Sequence, residues 1–158
     1  MQTELFKSLA GVYIVHIPYR GAGPALADTV GGQVSMIFDN LPSTLPFVKD
    51  GKLVPIVIAA PKRLAQLPNV PTFSEVGLAP VNRMAYYGLL SQAGIPKDIV
   101  EKYYAALKVV VSDPAVKKRI EETGSIINVN GPEAFSKEIK AEYAVYKEVV
   151  AKQKLALD

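Results

Sequence analysis

The chain has 158 residues, 49% hydrophobic and 21% charged, which describes a globular domain of ordinary size and excludes a disordered segment. Its net charge of +3 comes from 18 basic and 15 acidic residues interspersed along the chain, without a Lys/Arg block of the kind that tracks phosphates, so no nucleic-acid partner is expected. Cysteine is absent, which excludes disulfides, thiolate catalysis and thiolate metal sites.

Residues 1–7 show no basic segment followed by an apolar core, so no secretory signal is read here, and the chain as written is expected to stay in the cytoplasm. No apolar run is long enough to cross a bilayer. Residues 12–18 alternate β-branched and aromatic side chains and predict a strand that Pro18 ends. After Gly21-Ala22-Gly23, Pro24 suits the first helical position; Leu26 and Val30 share a face, and Gly31-Gly32 stops the helix. Residues 34–38 predict a second strand, with Asp39 and Asn40 just beyond its C-terminal end. The prolines at 42 and 46 make 41–49 a short or broken helix, and Asp50-Gly51 is a turn signal. Residues 53–60 are the most hydrophobic stretch and predict a buried strand, followed by a loop over 61–71. Thr72-Phe73-Ser74-Glu75 matches a capping box opening a short helix that Gly77 closes.

Residues 84–90 predict another strand. Pro96 opens a helix with Ile99, Tyr103, Leu107 and Val110 at helical spacing. Asp113-Pro114 is a cap followed by a proline at the first position of a helix ending at Gly124. A strand is predicted over 125–129, and Gly131-Pro132-Glu133 opens a last helix with an inner stripe of Phe135, Ile139, Tyr143, Tyr146 and Val150. The alternation of strands and helices predicts α/β architecture with a parallel sheet. A boundary falls near 59–71, where tight strand–helix units give way to longer helices.

The most informative segment runs from His16 to Leu26, from a strand through glycines into a helix. A helix N-terminus carries unpaired N–H groups and the positive end of the dipole, and glycines let a ligand approach that backbone, so the junction is a ready site for a carboxylate or phosphate. The alternative is that Gly21 and Gly23 only shape a tight turn. The segment is not a nucleotide fingerprint, because Leu26 replaces the third glycine of GxGxxG and no P-loop Lys-Ser/Thr pair follows. Asp39 and Asn40 either meet a ligand or cap the following turn. Arg20 either pairs with a ligand carboxylate or lies on the surface, and Tyr19 either lines the crevice or is an ordinary half-buried tyrosine. His16, the single histidine, reads as structural. With no second histidine and no cysteine, no transition-metal site is expected. No Gly-x-Ser-x-Gly elbow or nucleophile–base pair supports catalysis by His16, Asp39 or Arg20.

Taken in order, Phe6-Lys7-Ser8-Leu9-Ala10-Gly11, the 15–26 segment, Gly31-Gly32-Gln33-Val34, Phe38-Asp39-Asn40, Leu67-Pro68-Asn69-Val70-Pro71-Thr72, Glu75-Val76-Gly77-Leu78, Tyr87-Gly88-Leu89 and Ala93-Gly94-Ile95-Pro96 resemble the tripartite tricarboxylate transporter receptor family, also called Bug proteins. The resemblance covers almost the whole chain; Tyr86 stands where the family often has Trp, and Ser91-Gln92 where Ala-Pro is common. It implies a periplasmic solute-binding protein of type II, periplasmic-binding-protein-like architecture, two α/β lobes joined by a hinge. Family members are about two domains long, so the resemblance also implies a chain truncated at the N-terminus: residues 1–59 would be part of the second lobe on the ligand-loop side, and 60–158 the crossover and C-terminal part of the first.

By resemblance the partners are a small carboxylate or amino-acid-like solute and membrane permease subunits or a sensor. The binding residues would be Tyr19, Arg20, Gly21, Ala22 and Gly23, with Asp39 and Asn40 nearby, and no cofactor, metal or catalytic residue is expected. Apolar surface exposed by truncation would favour a homo-oligomer. The alternative reading is the effector-binding domain of a LysR-like transcription regulator, which shares a similar two-lobed fold.

Overall fold

A computed structural model describes residues 1–153. Six α-helices occur among them: α1 (Gln2–Ala10), α2 (Ala22–Val30), α3 (Leu41–Lys49), α4 (Lys97–Ser112), α5 (Pro114–Glu122) and α6 (Pro132–Gln153), with a 3-10 turn at Ala79–Val81. The chain forms two compact units, one spanning Met1–Ala85 and the other beginning at Tyr86.

In the first unit, α1 stops where Gly11 adopts a left-handed conformation (φ 65°) that costs glycine least. The Gln2 side chain donates to the carbonyls of Val81 and Arg83 (3.3 and 2.8 Å), tying the start of α1 to the 3-10 turn. Leu45, Leu67 and Val70 form a core onto which Leu41, Val48 and Ile58 pack. A second cluster joins Phe6, Phe38 and Phe73, with ring centroids 5.8 to 6.3 Å apart. Rings at such separations gain about 0.5–1.5 kcal/mol per pair beyond burial. Asn82 clamps Ala60 in both directions: its Nδ2 donates to the Ala60 carbonyl (2.8 Å) and its Oδ1 accepts the Ala60 N–H (3.0 Å).

In the second unit, Asp113 ends α4 and caps α5, its carboxylate accepting from the N–H groups of Ala115 and Val116 (2.9 and 3.1 Å). Phe135 of α6 meets Tyr86 edge-on at 5.3 Å, and its ring lies where a side chain at Gly88 would stand. Tyr104 of α4 donates to the Val129 carbonyl (3.4 Å).

Several sequence expectations are corrected. The segments predicted as strands, 12–18, 34–38, 53–60, 84–90 and 125–129, lack a ladder among the described residues. One parallel bridge forms, Ile58 with Thr72, through Ile58 N–H to the Pro71 carbonyl (2.9 Å) and Phe73 N–H to the Ile58 carbonyl (3.1 Å). Residue alternation favours extended backbone, but a ladder also needs a second strand alongside at about 4.8 Å. The 53–60 stretch is therefore not uniformly buried: Ala60 is 1% exposed, whereas Val54 is 83% and Ile56 73% exposed.

Helix α3 is unbroken despite Pro46. Pro46 is the sixth residue, so the acceptor it forgoes is one carbonyl near the N-terminus, that of Pro42, whose own ring suits the first turn. The Thr72–Glu75 box closes a turn rather than a helix. Both reciprocal bonds are made, Thr72 N–H to Glu75 Oε2 (2.7 Å) and Glu75 N–H to Thr72 Oγ1 (3.3 Å), but Gly77 (φ 79°) reverses the chain before a second turn winds. Tyr103, Val110 and Tyr143, expected on inner stripes, are exposed, while Val149 is buried.

Candidate functional site

All seven candidate residues lie in the first unit. Helix α2 begins at Ala22, with Gly21 as its N-cap, so Pro24 is its third residue rather than its first. The shift costs nothing in hydrogen bonding, because no first-turn N–H has an intrahelical acceptor and proline simply lacks one. Donors remain at Gly21, Ala22 and Gly23. Among the described residues no side chain caps them, and no acidic residue stands in the first turn. All three residues are exposed, and their N–H groups stand at the positive end of the helix dipole. Gly21 has φ 141° and ψ 172°, a conformation open to glycine and strained for any L side chain. Space around both glycines is open: a Cβ at Gly21 or Gly23 would meet nothing within 4 Å.

Tyr19 is half-buried, and its hydroxyl donates to Asp28 Oδ2 of α2 (2.7 Å). That bond, with partial desolvation and the Asp28 charge, raises the Tyr19 pKa above the ordinary phenol value. Arg20 is exposed and makes no ion pair among the described residues. Its guanidinium keeps five donors in a planar fork suited to a carboxylate. His16 is exposed, with Nδ1 3.6 Å from Oε1 of the buried Glu4, whose other oxygen pairs with Lys7 Nζ at 2.9 Å.

Asp39 is engaged locally. Its Oδ1 accepts the Asn40 N–H and its Oδ2 accepts the Ser43 hydroxyl, both at 2.8 Å. Ser43 Oγ also lies 2.7 Å from the Asn40 carbonyl. One hydroxyl proton serves one of these acceptors at a time, and a carboxylate has about four lone-pair sites, so Asp39 retains acceptor capacity. Asn40 is the N-cap residue of α3 without a side-chain capping bond. Phe38, within the aromatic cluster, anchors the backbone that presents both residues.

Among the described residues, no hydrogen bond joins the 19–23 loop directly to Asp39 or Asn40. The loop is instead tied to Asp28 of α2, which the sequence does not single out. Its carboxylate binds Tyr19, and its carbonyl accepts from Gln33 N–H (2.8 Å) and Val34 N–H (3.4 Å). Ser43, four residues after Asp39, was the available signal for the local engagement of Asp39. No comparable signal marked the pairing of Tyr19 with Asp28.

The architecture is that of α/β solute-binding proteins. It superposes on R. palustris Rpa4515 with adipate at TM-score 0.85 and 27% identity, covering 98% of this chain and 52% of that one. It superposes on the periplasmic binding protein BugD at TM-score 0.82 and 27% identity, covering 96% and 51%. A curated relative, the UPF0065 protein in the TAR-I ttuE-ttuC' intergenic region of Agrobacterium vitis, is 30% identical over 142 residues, which span 88% of this chain and 41% of the relative. The chain thus spans about half the length of the proteins it matches.

It belongs to the TctC family, the tripartite tricarboxylate transporter family receptor, whose model matches residues 1–155. This is a family of solute-binding receptors rather than enzymes.

Proposed function

We propose that this chain contributes one side of a crevice that captures a small carboxylate-containing or amino-acid-like solute for a tripartite tricarboxylate-type transporter or a sensor. The observation that carries the reading is the uncapped, exposed start of α2, where Gly21, Ala22 and Gly23 offer three N–H donors to an anion. Arg20 adds charge-assisted donors, Tyr19 lines the loop, and Asp39 and Asn40 supply acceptor and amide groups at the neighbouring segment. Residues 1–59 act as the ligand-loop side of the second lobe, and 60–158 carry the crossover and the C-terminal part of the first. The receptor works in the periplasm and hands its solute to membrane permease subunits. The adipate held by the R. palustris protein, similar over 98% of this chain, supports a carboxylate as the ligand class.

Calorimetric titration of the chain with adipate, against 1,6-hexanediol as the uncharged analogue, tests the proposal. Saturable binding of adipate alone is expected, with a Kd on the order of 1 mM, about 4 kcal/mol, for one face of a crevice. Equal responses to the two compounds would remove the anion from the mechanism.

A further inference from the structure

We infer that Asp28 is a positioning residue that fixes the 19–23 loop against α2, an inference resting on the carboxylate reading above. Its side chain holds Tyr19, the residue that opens the glycine loop, at 2.7 Å. Its main-chain carbonyl holds Gln33 and Val34, at 2.8 and 3.4 Å, where the segment leading to Asp39 and Asn40 begins. Gly31 and Gly32 make that second tie possible. The Gly31 N–H bonds the Ala27 carbonyl at 2.8 Å, and Gly32, at φ 76°, turns the chain so that the next two N–H groups return to Asp28.

Helix stability does not explain an aspartate here. Asp28 lies in the last turn of the nine-residue α2, where a carboxylate opposes the helix dipole. Its hydrogen bond to Tyr19 gives the carboxylate a partner and fixes the loop whose amides form the cradle. Only the side-chain tie can be deleted by substitution, because the carbonyl tie persists with any residue at this position. Loss of the side-chain tie therefore frees the 19–23 loop and leaves the exit of α2 in place.

The experiment compares Tyr19→Phe, Asp28→Ala, Asp28→Asn and the double variant Y19F/D28A in the full chain. Two readouts are taken: amide hydrogen exchange at residues 20–23 without ligand, and affinity for adipate. Y19F and D28A should each speed exchange at 20–23 and weaken adipate binding roughly tenfold, the scale of one hydrogen bond to a charged group. The double variant should lose no more than either single one. D28N, which keeps an acceptor for the Tyr19 hydroxyl, should stay within about threefold of the parent, since hydrogen bonds to neutral acceptors are roughly half as strong.

Exchange and affinity unchanged in Y19F and D28A would overturn the inference. Should D28A not fold, Y19F, which removes a single hydroxyl, decides the matter alone. If the parent chain fails to bind adipate, the carboxylate reading falls, and exchange at 20–23 still judges the tie: faster in Y19F supports it, unchanged refutes it.

Discussion

Replacing Ala22 with proline isolates the cradle from the stability of the fold. Ala22 is exposed and is the first residue of α2, a position where proline is favoured because its fixed φ is already helical and the missing N–H had no helical acceptor. The preceding residue, Gly21, has ψ 172°, an extended value that a following proline accepts. At a compatible site, proline stabilises by about 0.4–1 kcal/mol through the unfolded chain. For a unit spanning Met1–Ala85 this raises Tm by about 2 to 8 °C. The same substitution deletes one of the three first-turn donors. A hydrogen bond to a charged group contributes about 1.5–3 kcal/mol, so adipate affinity should fall by roughly 10- to 150-fold. Differential scanning calorimetry and adipate titration on the same sample read both effects. An A22P variant that is at least as stable as its parent and binds adipate equally well would refute the reasoning.

Three further outcomes follow from the geometry. Gly88→Ala places a methyl group where the Phe135 ring lies, and should destabilise the second unit by about 1–3 kcal/mol in urea unfolding; an unchanged midpoint would mean the ring moves aside freely. The Thr72 backbone N–H, together with the Arg63 guanidinium and the Thr72 hydroxyl, outweighs partial desolvation and holds the Glu75 carboxyl below the usual glutamate range. A folded-state pKa lowered in this way stabilises above the unfolded value and is lost as pH falls through the folded one. Glu75→Gln should therefore narrow the difference in Tm between neutral pH and pH values below the ordinary glutamate pKa, and an equal acid-side drop in both proteins would count against that bond. Exposed apolar side chains on segments outside the helices, Tyr13, Val15 and Ile17 in one and Tyr87, Leu89 and Leu90 in another, favour self-association. Light scattering should show concentration-dependent self-association, and a monomer at all concentrations would oppose it.

What could be read from the sequence was mostly local. Asp113-Pro114 caps α5 as expected, because the chemistry of a cap lies within three residues of chain. The Thr72/Glu75 pair makes both of its bonds for the same reason, yet the pair alone could not say whether a helix would follow. The glycine junction was legible as the start of a helix, since Gly21 and its neighbours set that backbone themselves.

Partner choice across space was not legible. Alternating apolar residues at 12–18 and 84–90 predict strands, but a strand's ladder depends on a neighbour that no residue within the segment specifies. The Phe6–Phe38–Phe73 cluster draws on three distant stretches of chain. The Tyr19–Asp28 bond crosses a loop whose path depends on Gly21. Asp39 looked equally suited to ligand binding and to capping; only the placement of Ser43 revealed its local hydrogen bonds.

The most direct measurement is a two-dimensional amide NMR titration of the labelled chain with adipate. The Gly21, Ala22 and Gly23 resonances should move together along one saturable curve, with 1,6-hexanediol leaving them in place. Resonances at 21–23 that stay fixed while others shift would locate the anion elsewhere and contradict the cradle.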